Sequence, residues 1–423
     1  MKIETKCLHS GYHPKNSEPR VLPIVQSTTY VFDSTDDIGA VFDDPTRAPI
    51  YSRFANPTVM AVEEKIAELE GASGGGALCT SSVQAAMLIA VLNIMKAGDS
   101  LVSSSQIYGG TTNLFAYTLE KNFGIECIFV DAEAGEDEIN AAFRPNTKAL
   151  FGETISNPAL TVLDIEKFAK CAHAHGVPLI VDNTFASPIL CRPIEFGADI
   201  VTHSTSKYMD GHAVQVGGVI VDSGRFSWNN GKFPGLSSAD ESYHGVVYTE
   251  AYGSLAYITK ARMQLMRDFG AYPAANSAFL LNLGLETLAI RMERYCKNAE
   301  KVAKFLSESG KIESVGYPGL PGDKNHALAK KYLGGASGVI SLVIKGGRAN
   351  AVKFMDSLKL ASKEVHVCDI RTCVLHPASA THRQLSEAQL SAAGVNPGMV
   401  RFSVGLENSD DIIDDIKLGL AAI

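Results

Sequence analysis

The stretch HSTSKYMDGH, residues 203–212, places Lys207 directly after Ser204, Thr205 and Ser206, at the end of an apolar run that reads as a strand. A solvated surface lysine has no need of three crowded hydroxyls. A lysine that condenses with a phosphorylated aldehyde does, because its amine forms the covalent bond and the hydroxyls hold the phosphate. Other residues at the ends of apolar runs suit the same chemistry. Asp182 closes PLIVD, and Tyr108 follows LVSSSQI in the glycine-rich YGGT. Ser82 opens SSVQAA, where the first amides of an apolar helix make an anion site together with Val83 and Gln84.

A pyridoxal phosphate site has four physical requirements. A lysine must hold the aldehyde as a Schiff base, and an acid must keep the pyridine nitrogen protonated so that the ring acts as an electron sink. An aromatic plane must stack on the ring, and hydroxyls, amides and a cation must cup the phosphate. Lys207, Asp182, Tyr108, Ser82, Ser204 and Ser206 can supply these. Each also has an ordinary alternative, such as a capping aspartate or a satisfied strand-end hydroxyl. Their joint occurrence at successive strand ends is what favours the site.

Two familiar signatures fail. GASGG (71–75) matches a nucleophile-elbow pattern around Ser73, but a helix rather than a strand leads into it. GGGALC mimics a dinucleotide fingerprint with Cys79 in the third glycine position. No Walker A sequence is present, so neither a hydrolase nor a nicotinamide enzyme is supported.

The elements that must position these residues can be read from periodicity. Val62, Ile66 and Leu69 fall on one helical face that ends at Gly71. Apolar strands then alternate with amphipathic helices, through DSLVSSS, IECIFVD, TKALFGET, VPLIVDNT and ADIVTHSTS. That alternation predicts an α/β fold with a mostly parallel sheet covered on both faces, and ligands in such sheets sit beyond the carboxyl ends of the strands. Residues 1–57 carry several prolines and read as an arm, 58–270 as the large domain and 271–423 as a smaller α+β domain.

The chain has 423 residues, is 46% hydrophobic and carries a net charge of −8. That is an ordinary globular composition, and the negative charge argues against nucleic acid or an anionic membrane as partner. No apolar run approaches the ~20 residues of a spanning helix, and MKIETKCLHSGYHPKN has no hydrophobic core of a signal peptide. The expected compartment is the cytoplasm, with the eight cysteines reduced. Cys368 and Cys373 in CDIRTC lack the clustered partners of a zinc site, so no metal is expected.

The segments YSRFANPT, SSVQAA, YGGT, SNP, VDNTFASP, HSTSKY, HPASATHRQL and VRFSVGLE span almost the whole chain. On them the sequence resembles the Cys/Met-metabolism family of pyridoxal phosphate enzymes. The resemblance implies the aspartate-aminotransferase-like fold, known as fold type I. It implies that Lys207 carries pyridoxal 5'-phosphate, Asp182 pairs with the pyridine nitrogen and Tyr108 stacks on the ring and assists catalysis. Ser82, Val83, Gln84, Thr184, Ser204 and Ser206 would complete the cofactor site. Tyr51, with a catalytic role as well, and Arg53 would reach the phosphate of a neighbouring subunit in a homo-oligomer, a dimer of active units assembling to a tetramer. Arg401 would fork onto the substrate carboxylate, with Asn157 and His366 beside it.

Three departures from the family stand out. Val83 replaces a usual glycine, Ser206 a common threonine, and EVHVCD puts His366 and Cys368 where a small or amide residue and a glycine are usual. At His366 the imidazole would donate to the substrate carboxylate, an anion that would raise its pKa and favour the charged ring; a space-filling histidine bonded to backbone is the alternative. Gly110 stands where methionine γ-lyases carry cysteine, and the segment 224–250 resembles that of the sulfhydrylases. The implied activity is γ-replacement on O-acetyl-L-homoserine by sulfide or a thiol, giving L-homocysteine and acetate. A γ-lyase or a cystathionine γ-synthase on the same scaffold is the alternative.

Overall fold

Seven strands form the central sheet in a computed structural model that describes residues 1–44, 47–72, 74–381, 383 and 396–423. Ser73, of the rejected nucleophile motif, lies outside the described residues, as does the end of HPASATHRQL from Gln384. The helix starting the large domain, α3 (Pro57–Glu70), has its signals where the sequence puts them. Asn56 caps it, proline occupies the first turn, and Gly71 closes it in the left-handed conformation at φ 78°. Two shorter helices precede it, α1 (Ile3–His9) and α2 (Thr35–Asp43). The first buries Cys7 in the large core, so the opening residues fasten to their own chain and the exposed part of the arm begins after them.

The sheet runs β1 (Gly76–Thr80), β2 (Ser100–Ser104), β3 (Glu126–Val130), β4 (Thr147–Glu153), β5 (Leu179–Asp182), β6 (Ile200–Ser204) and β7 (Gly218–Asp222), in the order β1-β7-β6-β5-β4-β2-β3. Only β7 runs antiparallel to its neighbours. The helices α4 (Val83–Leu92), α5 (Gly109–Asn113, continuing with wider turns to Phe123), α6 (Glu136–Ala141) and α7 (Ile165–Ala174) make the crossovers. Strands β2, β4, β5 and β6 are buried along almost their whole lengths, which is why they read as continuous apolar runs.

After Ala271 two helices follow, α8 (Ala275–Glu286) and α9 (Leu288–Ser307), which meet at Thr287. Ala278, Leu281, Leu285, Leu288, Met292 and Tyr295 pack into the core of the large sheet, whereas Ala299, Val302 and Leu306 belong to a second core. That second core lies under a five-stranded sheet ordered β10-β11-β12-β9-β8. Its strands are β8 (Ile312–Gly316), β9 (Val339–Ile344), β10 (Ser362–Lys363), β11 (Cys373–Leu375) and β12 (Met399–Ser403), flanked by α10 (Gly347–Ser357) and α11 (Ser409–Ala421).

The two parts are pinned where Lys207 sits. Buried Arg291 of α9 donates to the carbonyls of Tyr208 at 2.7 Å and of Gly284 at 2.6 Å. The Tyr208 hydroxyl accepts from the Gly338 amide at 2.9 Å, and the Ile370 amide donates to Gly211 O at 2.8 Å. The turn carrying Lys207 is thus held by residues from beyond the large sheet as well as by its own neighbours. Residues 224–250 do not reach it: they bury Trp228, stacked on Tyr257 with ring centroids 5.1 Å apart, in an aromatic cluster with Phe226 and Phe233.

Candidate active site

A cavity of about 500 Å³ opens beyond the carboxyl ends of β4, β5 and β6. Of the residues singled out from the sequence, it brings together Ser82, Val83, Gln84, Tyr108, Asn157, Asp182, Thr184, Ser204, Ser206, Lys207, His366 and Arg401. Tyr51 and Arg53 are not among its lining residues. They lie on the arm, where the Arg53 guanidinium sits 5.4 Å from the Tyr51 ring centre, 5.3 Å from that of Phe54, and donates to the Arg267 carbonyl.

At the phosphate end, Ser82 caps α4 by accepting from the Ala85 amide at 3.2 Å. Val83 is the first helical residue, so its departure from glycine costs little and its amide, like that of Gln84, has no acceptor within the helix. The amides therefore point to where an anion is favoured. Gly218 lies so close to this turn that a Cβ there would come within 2.5 Å of the Ser82 carbonyl and the Val83 nitrogen. Ser206 accepts from the Gly217 amide at 2.9 Å, and the Thr184 hydroxyl accepts from the Ser204 amide at 2.8 Å, which fixes both loops around the cup.

At the strand tips, Asp182 and Glu153 are register neighbours on β5 and β4. Burial raises the pKa of Asp182, opposed by donation from Thr184, whose amide lies 2.8 Å from its Oδ1. Glu153 is raised further, first by burial and then by Asp182 itself. Its Oε1 accepts from the Tyr108 amide at 2.7 Å, which sets the start of the YGGT turn. Sequence reasoning noted the polar end of FGET but gave Glu153 no role. Beneath them, His203 of β6 bonds to Glu70 at 2.5 Å and Asn183 reaches the same oxygen at 3.1 Å, bracing the two strand ends.

Tyr108 caps α5 and is 46% exposed, so its ring faces the open cavity. A Cβ on Gly110 would approach that ring to 2.5 Å. The glycine of YGGT therefore decides where the ring lies.

On the opposite side, burial lowers the pKa of Lys207, with Arg401 acting in the same direction. Arg401 is 6% exposed, and burial lowers its pKa also. It donates to Asn157 Oδ1 at 3.2 Å and to the carbonyls of Val365 and His366 at 3.1 and 3.0 Å, and among the described residues it meets no carboxylate. A buried guanidinium bonded only to neutral acceptors is a site for an anion.

His366 lines the same cavity as Lys207 and Arg401. Its pKa is pushed down to about 4, chiefly by burial and then by Lys207, with Arg401 and Arg371 acting the same way and Asp369 against them. Its Nδ1 lies 3.1 Å from Lys207 Nζ, while Nε2 is buried without a partner. Cys368, in the usual glycine position, does adopt a left-handed φ of 67°, and its amide donates to Ser403 at 2.8 Å.

These residues fit pyridoxal phosphate. Two buried carboxylates without a cation could receive a protonated pyridine nitrogen, free helix amides and hydroxyls could hold a phosphate, and a buried amine with a lowered pKa could bond the aldehyde. Among the described residues no cluster of three metal-ligating side chains occurs, and no helix is long and apolar enough to cross a membrane.

Comparison with known proteins agrees with this chemistry. The family model for Cys/Met metabolism PLP-dependent enzymes matches residues 4–421. An O-acetyl-L-homoserine sulfhydrylase of Leptospira meyeri is 44% identical, over 100% of this chain and 97% of that protein. A homocysteine synthase of Schizosaccharomyces pombe is 45% identical, over 99% and 98%. Among solved structures, a Campylobacter jejuni protein assigned as an O-acetylhomoserine (thiol)-lyase superposes with TM-score 0.94 at 37% identity, covering 100% of both chains. That protein carries a pyridoxyl-lysine phosphate at its own position 205. The chain belongs to the family of Cys/Met metabolism PLP-dependent enzymes, a fold type I protein with pyridoxal phosphate as its cofactor.

Proposed function

We propose that this enzyme catalyses γ-replacement on O-acetyl-L-homoserine, in which sulfide displaces acetate from Cγ to give L-homocysteine. The observation that carries the reading is the meeting in one cavity of two buried acids, Glu153 and Asp182, with the buried cations Lys207 and Arg401. The full-length likeness to sulfhydrylases and homocysteine synthases supports the choice of substrate. The room that Gly110 leaves for the Tyr108 ring, where γ-lyases carry cysteine, supports replacement over elimination.

Lys207 would hold the cofactor through its amine, and Asp182 would keep the pyridine nitrogen protonated. Ser82, Ser204, Ser206 and Thr184, with the amides of Val83 and Gln84, hold the phosphate. When bound, the cofactor supplies an electron sink for the carbanions formed at Cα and Cβ. Arg401 and Asn157 bind the substrate carboxylate, which fixes the Cα–H bond relative to Lys207. The released Lys207 amine takes the Cα proton, and its lowered pKa keeps more of it neutral for that task. Once it has given that proton up, the same amine would take one from Cβ as acetate leaves Cγ with the C–O bonding pair; after sulfide adds at Cγ, protons would return to Cβ and then to Cα through Lys207, with Tyr108 placed to assist. Tyr51 and Arg53, on the exposed arm, complete the site of a neighbouring subunit in a homotetramer, and the enzyme acts in the cytoplasm.

The test is an assay of O-acetyl-L-homoserine with and without sulfide. Homocysteine and acetate formed only with sulfide are expected. A 2-oxo acid and ammonia formed at full rate without sulfide would make the enzyme a γ-lyase instead.

A further inference from the structure

We propose that His366 is a positioning residue for Lys207: its neutral imidazole accepts a hydrogen bond at Nδ1 from the lysine amine whenever that amine is not bonded to the cofactor. The inference rests on Lys207 being the cofactor lysine, and it goes beyond it by assigning the amine a second holder.

The contact is 3.1 Å long and joins two residues 159 positions apart. As an ammonium Lys207 can only donate, which makes the ring accept at Nδ1 and carry its proton on Nε2. Every group facing the ring leaves it in that state. Burial opposes the imidazolium, and Lys207, Arg401 and Arg371 repel it. Asp369 is the one acid acting the other way, and its carboxylate is already bonded to Arg371 at 2.8 and 3.0 Å. The neighbouring thiols of Cys368 and Cys373 are both pushed up to about 12 by burial, so they add no negative charge.

The ring is held in place by its backbone. The His366 carbonyl accepts from Arg401 at 3.0 Å, the Cys368 amide donates to Ser403, and the Ile370 amide donates to Gly211 just beyond the Lys207 turn. A lysine has four rotatable bonds, and on release its amine would sweep the cavity. A fixed acceptor limits that sweep and keeps the ammonium formed by proton abstraction close to where the proton must be returned. The acceptor also stabilises the charged amine, which partly offsets burial and Arg401.

The test reads the amine directly in the full-length apoprotein. Trace acetylation with acetic anhydride at a series of pH values, followed by mass spectrometry of the Lys207 peptide, gives the titration midpoint of that lysine. Replacement His366→Leu is expected to lower the midpoint by about one pH unit, a tenfold change, by removing the acceptor. Replacement His366→Asn is expected to restore most of it, because an amide oxygen accepts. In the wild-type apoprotein, ¹⁵N spectroscopy should show Nδ1 unprotonated and Nε2 protonated, a readout that needs no variant. A midpoint unmoved in both variants, or an Nδ1–H ring, overturns the proposal. Failure of the underlying assignment looks different: borohydride reduction of the holoenzyme would then fix the cofactor at a lysine other than 207.

Discussion

The two walls of the cavity are opposites. The tips of β4 and β5 present Glu153 and Asp182, carboxylates that burial drives toward neutrality for want of a cation. The turn after β6 and the strand β12 present Lys207 and Arg401, cations that burial drives the same way for want of an anion. Burying unpaired charges costs several kcal/mol each, and a protein built for stability alone would pair them across the gap. This one keeps them apart and leaves space between. The separation fits a guest with a positive ring nitrogen at one end and a negative carboxylate at the other. It also makes the four groups testable against each other, because a group that is neutral already should lose little on replacement.

The largest effect is expected at Lys207. Lys207→Ala should reduce kcat by at least about 10⁴-fold, since one amine both holds the cofactor and moves the protons. Rates of homocysteine formation and loss of the borohydride-fixed adduct check this together. A variant retaining both would remove Lys207 from its place in the comparison.

The two carboxylates should then divide. Asp182→Asn takes a charge partner from the ring nitrogen and is expected to cost about 10²–10³ in kcat. Glu153→Gln replaces a carboxyl group that burial and Asp182 already push toward its neutral form, and an amide oxygen can still accept from the Tyr108 amide. A loss below about tenfold is expected, on the strength of one neutral hydrogen bond. Equal losses at both positions would break the distinction drawn between them.

Across the cavity, Arg401→Lys keeps the charge and loses the fork. The KM for O-acetyl-L-homoserine should rise by about 30-fold or more, in line with ~2 kcal/mol or more for a truncated buried charge pair. The KM for sulfide should change much less. A matching rise in both would place Arg401 outside the carboxylate site.

A smaller effect concerns pH. In the apoprotein His366 has its pKa depressed to about 4 from 6.5, so between these values the unfolded chain takes a proton that the folded chain refuses. Its contribution is fully present above pH 6.5 and is lost as pH falls toward 4. Relative to His366→Asn, the wild type should lose about 1 kcal/mol over that window, a figure reduced to allow for the part of the ring that solvent screens. Urea unfolding of the two apoproteins at a series of pH values measures it. Parallel stability curves would mean that the ring titrates normally.

Much of this arrangement was legible in the chain because it is built from local signals. Continuous apolar runs marked the buried parallel strands, and their polar last residues marked where a ligand would meet them. Ser82 and the closing Gly71 marked one helix start and one helix end beside the site. Lys207, Asp182 and the Ser82 turn could be picked out on these grounds, since a strand end places its residue whatever packs beyond it.

What only the tertiary structure decided is how the distant groups act on one another. Whether Glu153 is charged depends on a strand 29 residues away in the chain, because Asp182 sits beside it in register. The single antiparallel strand β7 returns Gly218 against the Ser82 turn, a contact with no local signature. His366 shows the limit best. Its neighbours in sequence say nothing of Lys207, 159 positions away, yet folding sets that amine 3.1 Å from its Nδ1. Sequence determines which side chains a site contains. Their protonation follows from burial and from the charges brought within a few ångströms, and only the packed chain sets those.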